Sequence, residues 1–415
     1  MTDAGTPSGP VTRSSVTRVG AATVVSALCG YAVLYLAARD LDPAGFSIFG
    51  VFWGAFGLVT GAAFGLLQQS TREIRLATGT SGPDPTSAVT HPLRLAAAVG
   101  VVAAVVVAAT AVLWAPHVFV ESRQLSVVLL AVGLACFCLH ATLLGMLAGT
   151  DRWSQYGALM VTDAGIRVLI AVATVALGWG LVGFLWATVG GALSWLLLLL
   201  ASPTARATAG LVARESPASF LRGAAHAVAA AGASAILVMG FPVLLKATSG
   251  DLGAAGGVVI LAVTLTRAPL LVPLTAMQGN LIAHFVDART HRLRAVAQAV
   301  AVLAAVGAAG IAMAAVTGPW LLRVAFGEQY RATGALLAWL TAGAVVIAVL
   351  TVTGAATVAA ALHRAYSLGW IFATVAAAAL LLLPLGLETR TVVALVCGPV
   401  VGIAVHLAAL ARTES

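Results

Sequence analysis

Residues Leu95–Trp114 read LAAAVGVVAAVVVAATAVLW, twenty consecutive residues without a charged side chain. The hydrocarbon core of a bilayer is about 30 Å thick, and about 20 helical residues are needed to cross it. Because backbone groups cannot remain unpaired in lipid, such a stretch has to cross as a helix. The segment therefore predicts a transmembrane helix, and the rest of the chain follows the same pattern.

Similar apolar stretches fill the 415 residues almost from end to end, and the chain is 61% hydrophobic and only 9% charged. The predicted spans are 19–38, 46–67, 95–114, 125–148, 156–177, 181–201, 224–245, 256–280, 296–316, 333–361, 366–385 and 391–411. Residues 256–288 are predicted to form one long helix that bends at Pro269 and Pro273. No segment between the spans is long enough for a soluble domain, so the function has to lie within the helical bundle.

The positive charge of the chain indicates its orientation. A formal net charge of +8 would suggest a nucleic-acid partner in a soluble protein, but arginines collect in the cytoplasmic loops of membrane proteins. With the N-terminus inside, fourteen arginines fall on the cytoplasmic side against six basic residues outside. The fourteen are Arg13, Arg18, Arg72, Arg75, Arg94, Arg152, Arg206, Arg214, Arg222, Arg289, Arg292, Arg294, Arg364 and Arg412. We predict a multi-pass protein of the cell membrane with both termini cytoplasmic and no nucleic-acid partner.

The two halves of the chain resemble each other at an offset of about 211 residues. The sequence LDPAG at Leu41–Gly45, after the first span, matches LGAAG at Leu252–Gly256, after the seventh. Arg152, before span 5, falls opposite Arg364, before span 11. Chance matching in a chain rich in alanine and glycine is the alternative explanation.

The repeat divides the chain into three parts. We predict an N-terminal six-helix lobe over residues 1–201, a cytoplasmic linker over residues 202–222 and a C-terminal six-helix lobe over residues 223–415. Because six spans are an even number, both lobes insert in the same direction. This predicts a pseudo-two-fold axis along the membrane normal with a central cavity between the lobes.

Four segments, spread over nearly the whole chain, carry a family resemblance. They are Ala38–Phe46 (ARDLDPAGF), Phe64–Leu66 with Arg72, Ala255-Gly256 with Arg267 and Pro269, and Phe326–Tyr330 (FGEQY). The first is similar to the motif A-R-x-L-G-P-x-x-F-G, with an aspartate where glycine is usual, and the last is similar to F-G-x-x-Y. The second is close to D-x-G-L…R but lacks the acidic residue. Together they resemble the polysaccharide-precursor (Wzx-type) flippases of the multidrug/oligosaccharidyl-lipid/polysaccharide exporter superfamily.

The resemblance implies an all-α, V-shaped bundle of two six-helix lobes that works by alternating access. It implies a substrate as well, an oligosaccharide linked to polyprenyl pyrophosphate. This lipid-linked glycan would move from the inner to the outer leaflet of a bacterial cytoplasmic membrane, for surface or exopolysaccharide synthesis. Such transport involves no covalent step and no cofactor, so the chain is not expected to be an enzyme.

Three charged residues within spans are candidates for the transport chemistry. A central arginine costs about 2.5–3.5 kcal/mol on insertion scales, so Arg267 in span 8 should not face lipid. Its planar guanidinium suits the pyrophosphate of the substrate; alternatively, it ties a broken helix to neighbouring carbonyl groups. Asp163 and Arg167, four residues apart in span 5, share one helix face and are expected to pair. Alternatively, Asp163 exchanges a proton or Na⁺ while Arg167 binds phosphate.

Several further residues are weaker candidates. Arg72 ends span 2 and is placed to meet an anionic headgroup, although a plain orientation anchor explains it equally well. His140 is the deepest in-span histidine and a candidate for ion coupling, although most such histidines are hydrogen-bonded packing residues. Gly45 and Gly256, together with the two prolines of span 8, are predicted hinge or packing positions. A glycine stripe along span 2 predicts close helix packing. Its members are Gly50, Gly54, Gly57, Gly61 and Gly65.

Two other functions fit parts of the sequence. A membrane glycosyltransferase would hold a divalent cation with Asp40 and Asp42, but the first external loop is only about seven residues long. A multidrug extruder of the same superfamily would favour cavity carboxylates, whereas the in-span charges here are mainly arginines. The four cysteines lie in apolar spans without metal-ligand spacing, so neither a metal nor a disulfide is predicted.

Overall fold

The computed structural model describes residues 13–79, 89–288 and 291–414, and its regular elements are helices. Twelve helical segments in these ranges are long and apolar enough to cross a membrane, which confirms the predicted all-α membrane bundle. The orientation predictions for the N-terminal tail up to residue 12 and for Arg289 lie outside the described residues.

Seven helices form the six spans of the first half. They are α1 (Arg13–Asp40), α2 (Pro43–Gly79), α3 (Pro92–Val118), α4 (Arg123–Gly149), α5 (Trp153–Leu177), α6 (Gly180–Gly190) and α7 (Ser194–Ala201). A 3₁₀ turn over Gly191–Leu193 divides the sixth span into α6 and α7. The short helix α8 (Pro203–Ala209) follows, with the Ser202 hydroxyl capping its first turn.

Eight helices form the second half. They are α9 (Pro217–Val238), α10 (Phe241–Ser249), α11 (Gly253–Ala276), α12 (Gln278–Asp287), α13 (Arg292–Phe326), α14 (Gly334–Ala359), α15 (His363–Leu381) and α16 (Leu387–Glu414). The helix α9 begins inside the segment predicted as a linker, because Ser216 caps it and a proline occupies its first turn.

Two predicted helices of the second half are broken. The seventh span ends at Val238 rather than continuing to residue 245, and a new helix starts at the Gly-Phe-Pro sequence from Gly240. The long helix predicted for residues 256–288 ends at Ala276, and α12 begins after Met277. Both prolines lie inside α11, so the break comes after them, where the polar sequence Gln-Gly-Asn replaces the apolar one.

The two halves pack in the same way. In the first half, α1 packs on α5, both α2 and α3 pack on α4, and α5 packs on the α6–α7 span. In the second half, α9 packs on α15, both α11 and α13 pack on α14, and α15 packs on α16. The turns after α4 and α14 also match, because Arg152 N donates to Leu147 O and Leu362 N to Thr357 O, each at 2.9 Å. Arg152 therefore corresponds to Leu362, two residues before its predicted counterpart Arg364.

The glycine stripe of α2 lies against the second half. A Cβ atom added at Gly50 would lie 2.7 Å from Ile260 Cγ2, and one at Gly61 would lie 2.6 Å from Ala235 Cβ. At Gly65 it would overlap the backbone of Val228 and lie 2.5 Å from the carbonyl carbon of Ala227. The helices α2 and α9 therefore approach each other backbone to backbone, which requires glycine on α2.

The bundle has two distinct ends. We call the end that carries Arg72, Arg75, Arg152, Arg222 and Arg364 the arginine-rich end, and the other the opposite end. On α11, residues 256–263 near the opposite end are buried, whereas residues beyond them are mostly partly exposed. The contact between the halves along α11 is therefore tighter toward the opposite end.

An aromatic cluster joins the halves at the opposite end. Tyr330, which is fully buried, packs edge-on against Phe46 with ring centroids 6.0 Å apart. Phe326 packs in the same way against Tyr35 at 5.7 Å. Burial, together with the nearby negative charge of Asp42, raises the pKa of the Tyr330 hydroxyl. The phenol therefore stays neutral, and it can remain part of an apolar contact between the halves.

Candidate functional site: the buried charges of the two halves

Arg267 is buried where the seventh span is broken. Only 7% of it is exposed, and its Nη1 donates to Val238 O at 3.1 Å and, more weakly, to Leu237 O at 3.4 Å. The guanidinium carbon lies 5.2 Å from the ring centre of Phe241, the first residue of α10. The last carbonyl groups of a helix lack intrahelical partners and carry partial negative charge. These contacts correspond to one of the two roles predicted for Arg267, in which the arginine ties a broken helix to neighbouring carbonyl groups.

These contacts do not use the whole guanidinium group. The Nη2 atom of Arg267 is buried and has no hydrogen-bond acceptor among the described residues. A buried donor without a partner costs about 1–3 kcal/mol, and more when it is charged. The arrangement therefore leaves one charged donor of Arg267 without an acceptor among the described residues.

Asp163 and Arg167 form a partly buried ion pair in α5, with 18% and 14% of their side chains exposed. The Nε and Nη2 atoms of Arg167 donate to the two carboxylate oxygens of Asp163 at 3.1 and 3.0 Å. Arg167 Nη1 also donates to Thr188 O at 2.6 Å, in the last turn of α6, and the guanidinium carbon lies 5.4 Å from the ring centre of Phe56. Each in-span arginine thus binds a carbonyl group where a neighbouring span is broken. They contact different helices, so the structure does not bring Arg167 and Arg267 to one site.

His140 lies beside the ion pair. Its ring is stacked on Phe137 at 5.0 Å, and its Nδ1 is hydrogen-bonded to Ser194 Oγ at 3.0 Å, which links α4 to the start of α7. Both charges of the pair lie close enough to act on the imidazole. The structure therefore places His140, Asp163 and Arg167 in one polar cluster of the first half.

The second half also contains a hydrogen-bonded pair of a histidine and a hydroxyl residue. Its hydroxyl residue stands at the position that corresponds to His140, and its histidine at the position that corresponds to Ser194. His406 Nδ1 and Thr353 Oγ1 are 3.0 Å apart, and His406 Nε2 lies 3.2 Å from Tyr366 O. His140 and Thr353 are 213 residues apart, and Ser194 and His406 are 212 apart, close to the offset of the sequence repeat. Since both ring nitrogens of His406 have partners, it is a packing residue that joins three spans.

Arg72 lies away from both buried arginines, at the arginine-rich end. Its side chain is 69% exposed, and its Nη1 is 3.4 Å from Oε1 of Glu73, whose side chain is only 8% exposed. Arg75, next to it along α2, pairs with Asp151 at 2.5 Å. Glu73 was not among the sequence-predicted site residues, and the polar sequence around it, QQSTREIR over residues 68–75, gives no signal that would have found it.

The remaining candidates have local roles. The Asp42 carboxylate accepts a hydrogen bond from Gly45 N at 2.7 Å and so caps α2, and Asp40 is exposed. No group of three histidine, cysteine or acidic side chains that could hold a metal occurs in residues 13–79, 89–288 and 291–414. Gly256 packs against Leu252 of its own turn. Asp42 of the Asp-x-Asp sequence thus caps a helix.

We expect the ion pair to be revealed by a rescue experiment. Asp163→Asn alone leaves a nearly buried arginine unpaired, and breaking a buried pair costs about 3–5 kcal/mol. The double variant Asp163→Asn with Arg167→Gln removes both charges and should recover most of the thermal unfolding temperature, measured in detergent. A double variant as unstable as the single one would contradict the pairing. Glu388→Gln, at an exposed acid of α16, is the matched control and should leave the unfolding temperature unchanged.

Comparison with known proteins identifies close relatives. "Uncharacterized protein Rv3630" of Mycobacterium tuberculosis is 66% identical over 410 residues, covering 99% of this chain and 95% of the relative. "Uncharacterized protein Mb3654" of Mycobacterium bovis is equally similar. "Uncharacterized protein Rv1510" of M. tuberculosis is 64% identical over 415 residues, covering 99% of this chain and 96% of the relative. No protein-family model matches the chain.

Comparison with solved structures identifies the fold. The inward-facing form of a multidrug resistance MATE transporter of the MOP superfamily superposes with a TM-score of 0.72 at 17% identity, covering 96% of this chain and all of that one. An outward-facing form of a MATE transporter superposes with a TM-score of 0.64 at 16% identity, covering 97% and 96%. The chain therefore has the fold of the MATE transporters.

Proposed function

The chain belongs to the family of the mycobacterial proteins Rv3630 and Rv1510, and from its fold and its buried charges we propose that it is a flippase for a lipid-linked oligosaccharide. The substrate is a glycan on polyprenyl pyrophosphate, moved from the inner to the outer leaflet of the cell membrane by alternating access. The protein performs no covalent step and needs no cofactor.

The observation that carries this proposal is the free donor of Arg267. A pyrophosphate offers several anionic oxygens, and a guanidinium group binds such oxygens by short, charge-assisted hydrogen bonds. Most α11 residues after Thr264 are partly exposed. A lipid headgroup can therefore approach Arg267 along this part of the helix. Arg267 supplies a buried cation beside this stretch of α11.

The orientation of the protein in the membrane is inferred from the arginine-rich end. That end faces the cytoplasm, since basic loops are retained inside, and both termini lie on the same side. The partly exposed stretch of α11 then belongs to a cavity that opens inward. The higher TM-score with the inward-facing transporter, 0.72 against 0.64, is consistent with this direction. Arg72, exposed at the same end, is the first cation that an incoming headgroup would meet.

Ion coupling is assigned to the polar cluster of the first half. Asp163 is its carboxylate and His140 its titratable neighbour, and exchange of H⁺ or Na⁺ at this cluster would supply the energy for transport. The double variant that neutralises the ion pair tests the assignment, because it separates stability from coupling. Under this proposal it remains folded, while its transport no longer responds to an imposed ion gradient.

A multidrug extruder is the second candidate. The solved structures of the same fold are described as multidrug resistance transporters, and this observation favours it. The in-span charges argue against it, because organic cations call for carboxylates, whereas the in-span acid of α5, Asp163, is already paired with Arg167.

The distinguishing experiment is the fate of the lipid-linked precursor in a strain that lacks the protein. We expect the completed precursor to accumulate on the cytoplasmic face, because no other step of its synthesis is missing. Its leaflet is measured in sealed vesicles with an impermeant glycan-modifying reagent. A truncated precursor would indicate a missing transferase instead, and normal precursor on both faces would favour the drug extruder.

A further inference from the structure

A cavity lies between the two halves at the opposite end of the bundle. Its volume is about 210 Å³, which is more than a single ion or water needs and less than the pocket of a typical drug-sized ligand. The first half contributes the start of α2 and the end of α3, and the second half contributes α10 and the segment that leads into α11. A small molecule in this cavity would therefore contact both halves.

The cationic group of the cavity is Lys246 of α10, the single lysine of the chain. Only 7% of this residue is exposed, and its Nζ donates to Gly250 O. An ammonium group has three donors, and Gly250 O is the one acceptor that Lys246 has among the described residues. Burying a charge is costly unless it is paired. A negatively charged group in the cavity would supply that pairing.

Two carboxyl groups, those of Glu121 and Asp251, line the same cavity and are exposed. Asp251 Oδ1 accepts a hydrogen bond from Gly253 N at 3.2 Å. The ion pairs formed by the described residues involve neither acid and do not involve Lys246. The cavity therefore holds one buried positive charge and two exposed negative charges that do not neutralise one another by direct pairing.

The cavity adjoins a backbone contact between the two halves. A Cβ atom added at Gly257 on α11 would overlap Pro43 O at the start of α2. Pro43 belongs to the LDPAG sequence of the internal repeat, and Gly257 directly follows LGAAG. Separation of the halves at the opposite end would break this contact and pull the walls of the cavity apart. The cavity is thus a feature of the form in which the opposite end is closed.

We propose that this cavity binds a small molecule that carries both a phosphate and an ammonium group, with the phosphate at Lys246 and the ammonium group at Glu121 and Asp251. The two acids would repel a simple anion, and Lys246 would repel a simple cation, whereas a zwitterion satisfies both charges. Lysine is a common phosphate ligand, and the first turn of α2, which borders the cavity, favours negative charge. The site does not depend on the identity of the transported substrate.

The test is isothermal titration calorimetry of the full-length protein in detergent. Phosphoethanolamine, inorganic phosphate and ethanolamine are titrated separately, because the two fragments each carry one of the two charges. We expect phosphoethanolamine to bind about ten-fold more tightly than either fragment, or better, since it makes both sets of charged contacts. Equal affinities for phosphoethanolamine and phosphate would overturn the proposal, and so would the absence of binding at millimolar concentrations.

Variants assign the two charged contacts. Lys246→Met should weaken phosphoethanolamine binding roughly ten- to hundred-fold, whereas Arg323→Ala, at an exposed arginine of the same end, is the control and should leave it unchanged. Glu121→Gln combined with Asp251→Asn should weaken binding of phosphoethanolamine but not of phosphate. Both acids are exposed, so this double variant tests the proposal even if Lys246→Met does not fold. An unchanged preference for phosphoethanolamine in the double variant would overturn it.

The source of the zwitterion is distinguished in nanodiscs. If a lipid headgroup fills the cavity, phosphatidylethanolamine in the bilayer should weaken binding of free phosphoethanolamine relative to nanodiscs of phosphatidylglycerol alone. Equal binding in the two bilayers would assign the site to a water-soluble molecule, and both results support a zwitterion site. Failure of glycan export alone would affect only the proposed function, since none of these measurements involves transport.

Discussion

Arg267→Ala is expected to abolish export of the lipid-linked glycan while the protein remains in the membrane. The substitution removes a buried guanidinium group whose Nη2 has no acceptor among the described residues. A hydrogen bond to a charged group contributes about 1.5–3 kcal/mol, which corresponds to roughly ten- to hundred-fold weaker binding of the pyrophosphate. The measurement is export of the glycan in cells, with the amount of membrane-inserted protein determined in parallel.

Two further variants separate binding from folding. Arg267→Lys keeps a positive charge near Val238 but loses the planar fork, so export should fall while the unfolding temperature changes little. Arg323→Ala removes an exposed arginine at the end of α13 and should leave both export and stability unchanged. Normal export by Arg267→Ala would remove this residue from the mechanism, whereas the precursor assay would still decide the function.

Gly65→Ala is expected to have the largest effect on stability. The added methyl group would overlap backbone atoms of α9, which cannot move aside without separating the two helices. Overpacking of a well-packed interior typically costs about 1–3 kcal/mol, and backbone contact places this site at the upper end. The thermal unfolding temperature in detergent should fall clearly, and folded protein in the membrane should fall with it.

Gly165→Ala is the matched control. Gly165 also lies inside a membrane span, but a Cβ atom there would meet nothing within 4 Å. Replacing a helical glycine by alanine gains about 0.5–1 kcal/mol when space is available. Gly165→Ala should therefore be neutral or slightly stabilising. Equal behaviour of the two variants would show that the α2–α9 contact does not depend on the glycine.

The sequence predicted most of the architecture because its signals are local. Twenty-residue apolar runs and short turns identify the twelve spans, and the offset between LDPAG and LGAAG identifies the repeat. The glycine stripe of α2 predicted a close helix contact, and the structure supplies its partners on α9 and α11. The break at Gly240 was missed, although the Gly-Phe-Pro sequence is a usual signal for a helix end followed by a new start.

The site was less predictable because its contacts join distant residues. Pairing of Asp163 with Arg167 follows from their spacing on one helix, but the carbonyl groups that Arg267 binds belong to another span and exist only because that span is broken. His140 and Ser194, which are hydrogen-bonded to each other, are 54 residues apart, and no local pattern places them together. Charge within an apolar stretch marks a residue as unusual, whereas its partner is decided by tertiary packing.

The close approach of α2 and α9 also restricts how the two halves can change over evolutionary time. If they arose by duplication of a six-helix ancestor, each copy was free to vary only until this contact formed. A larger residue at Gly61 or Gly65 is acceptable only with a compensating change near Ala235 or Val228 in the other half. Selection therefore acts on the two halves together. Replacing one half by the corresponding half of a distant relative would require replacing the other half as well.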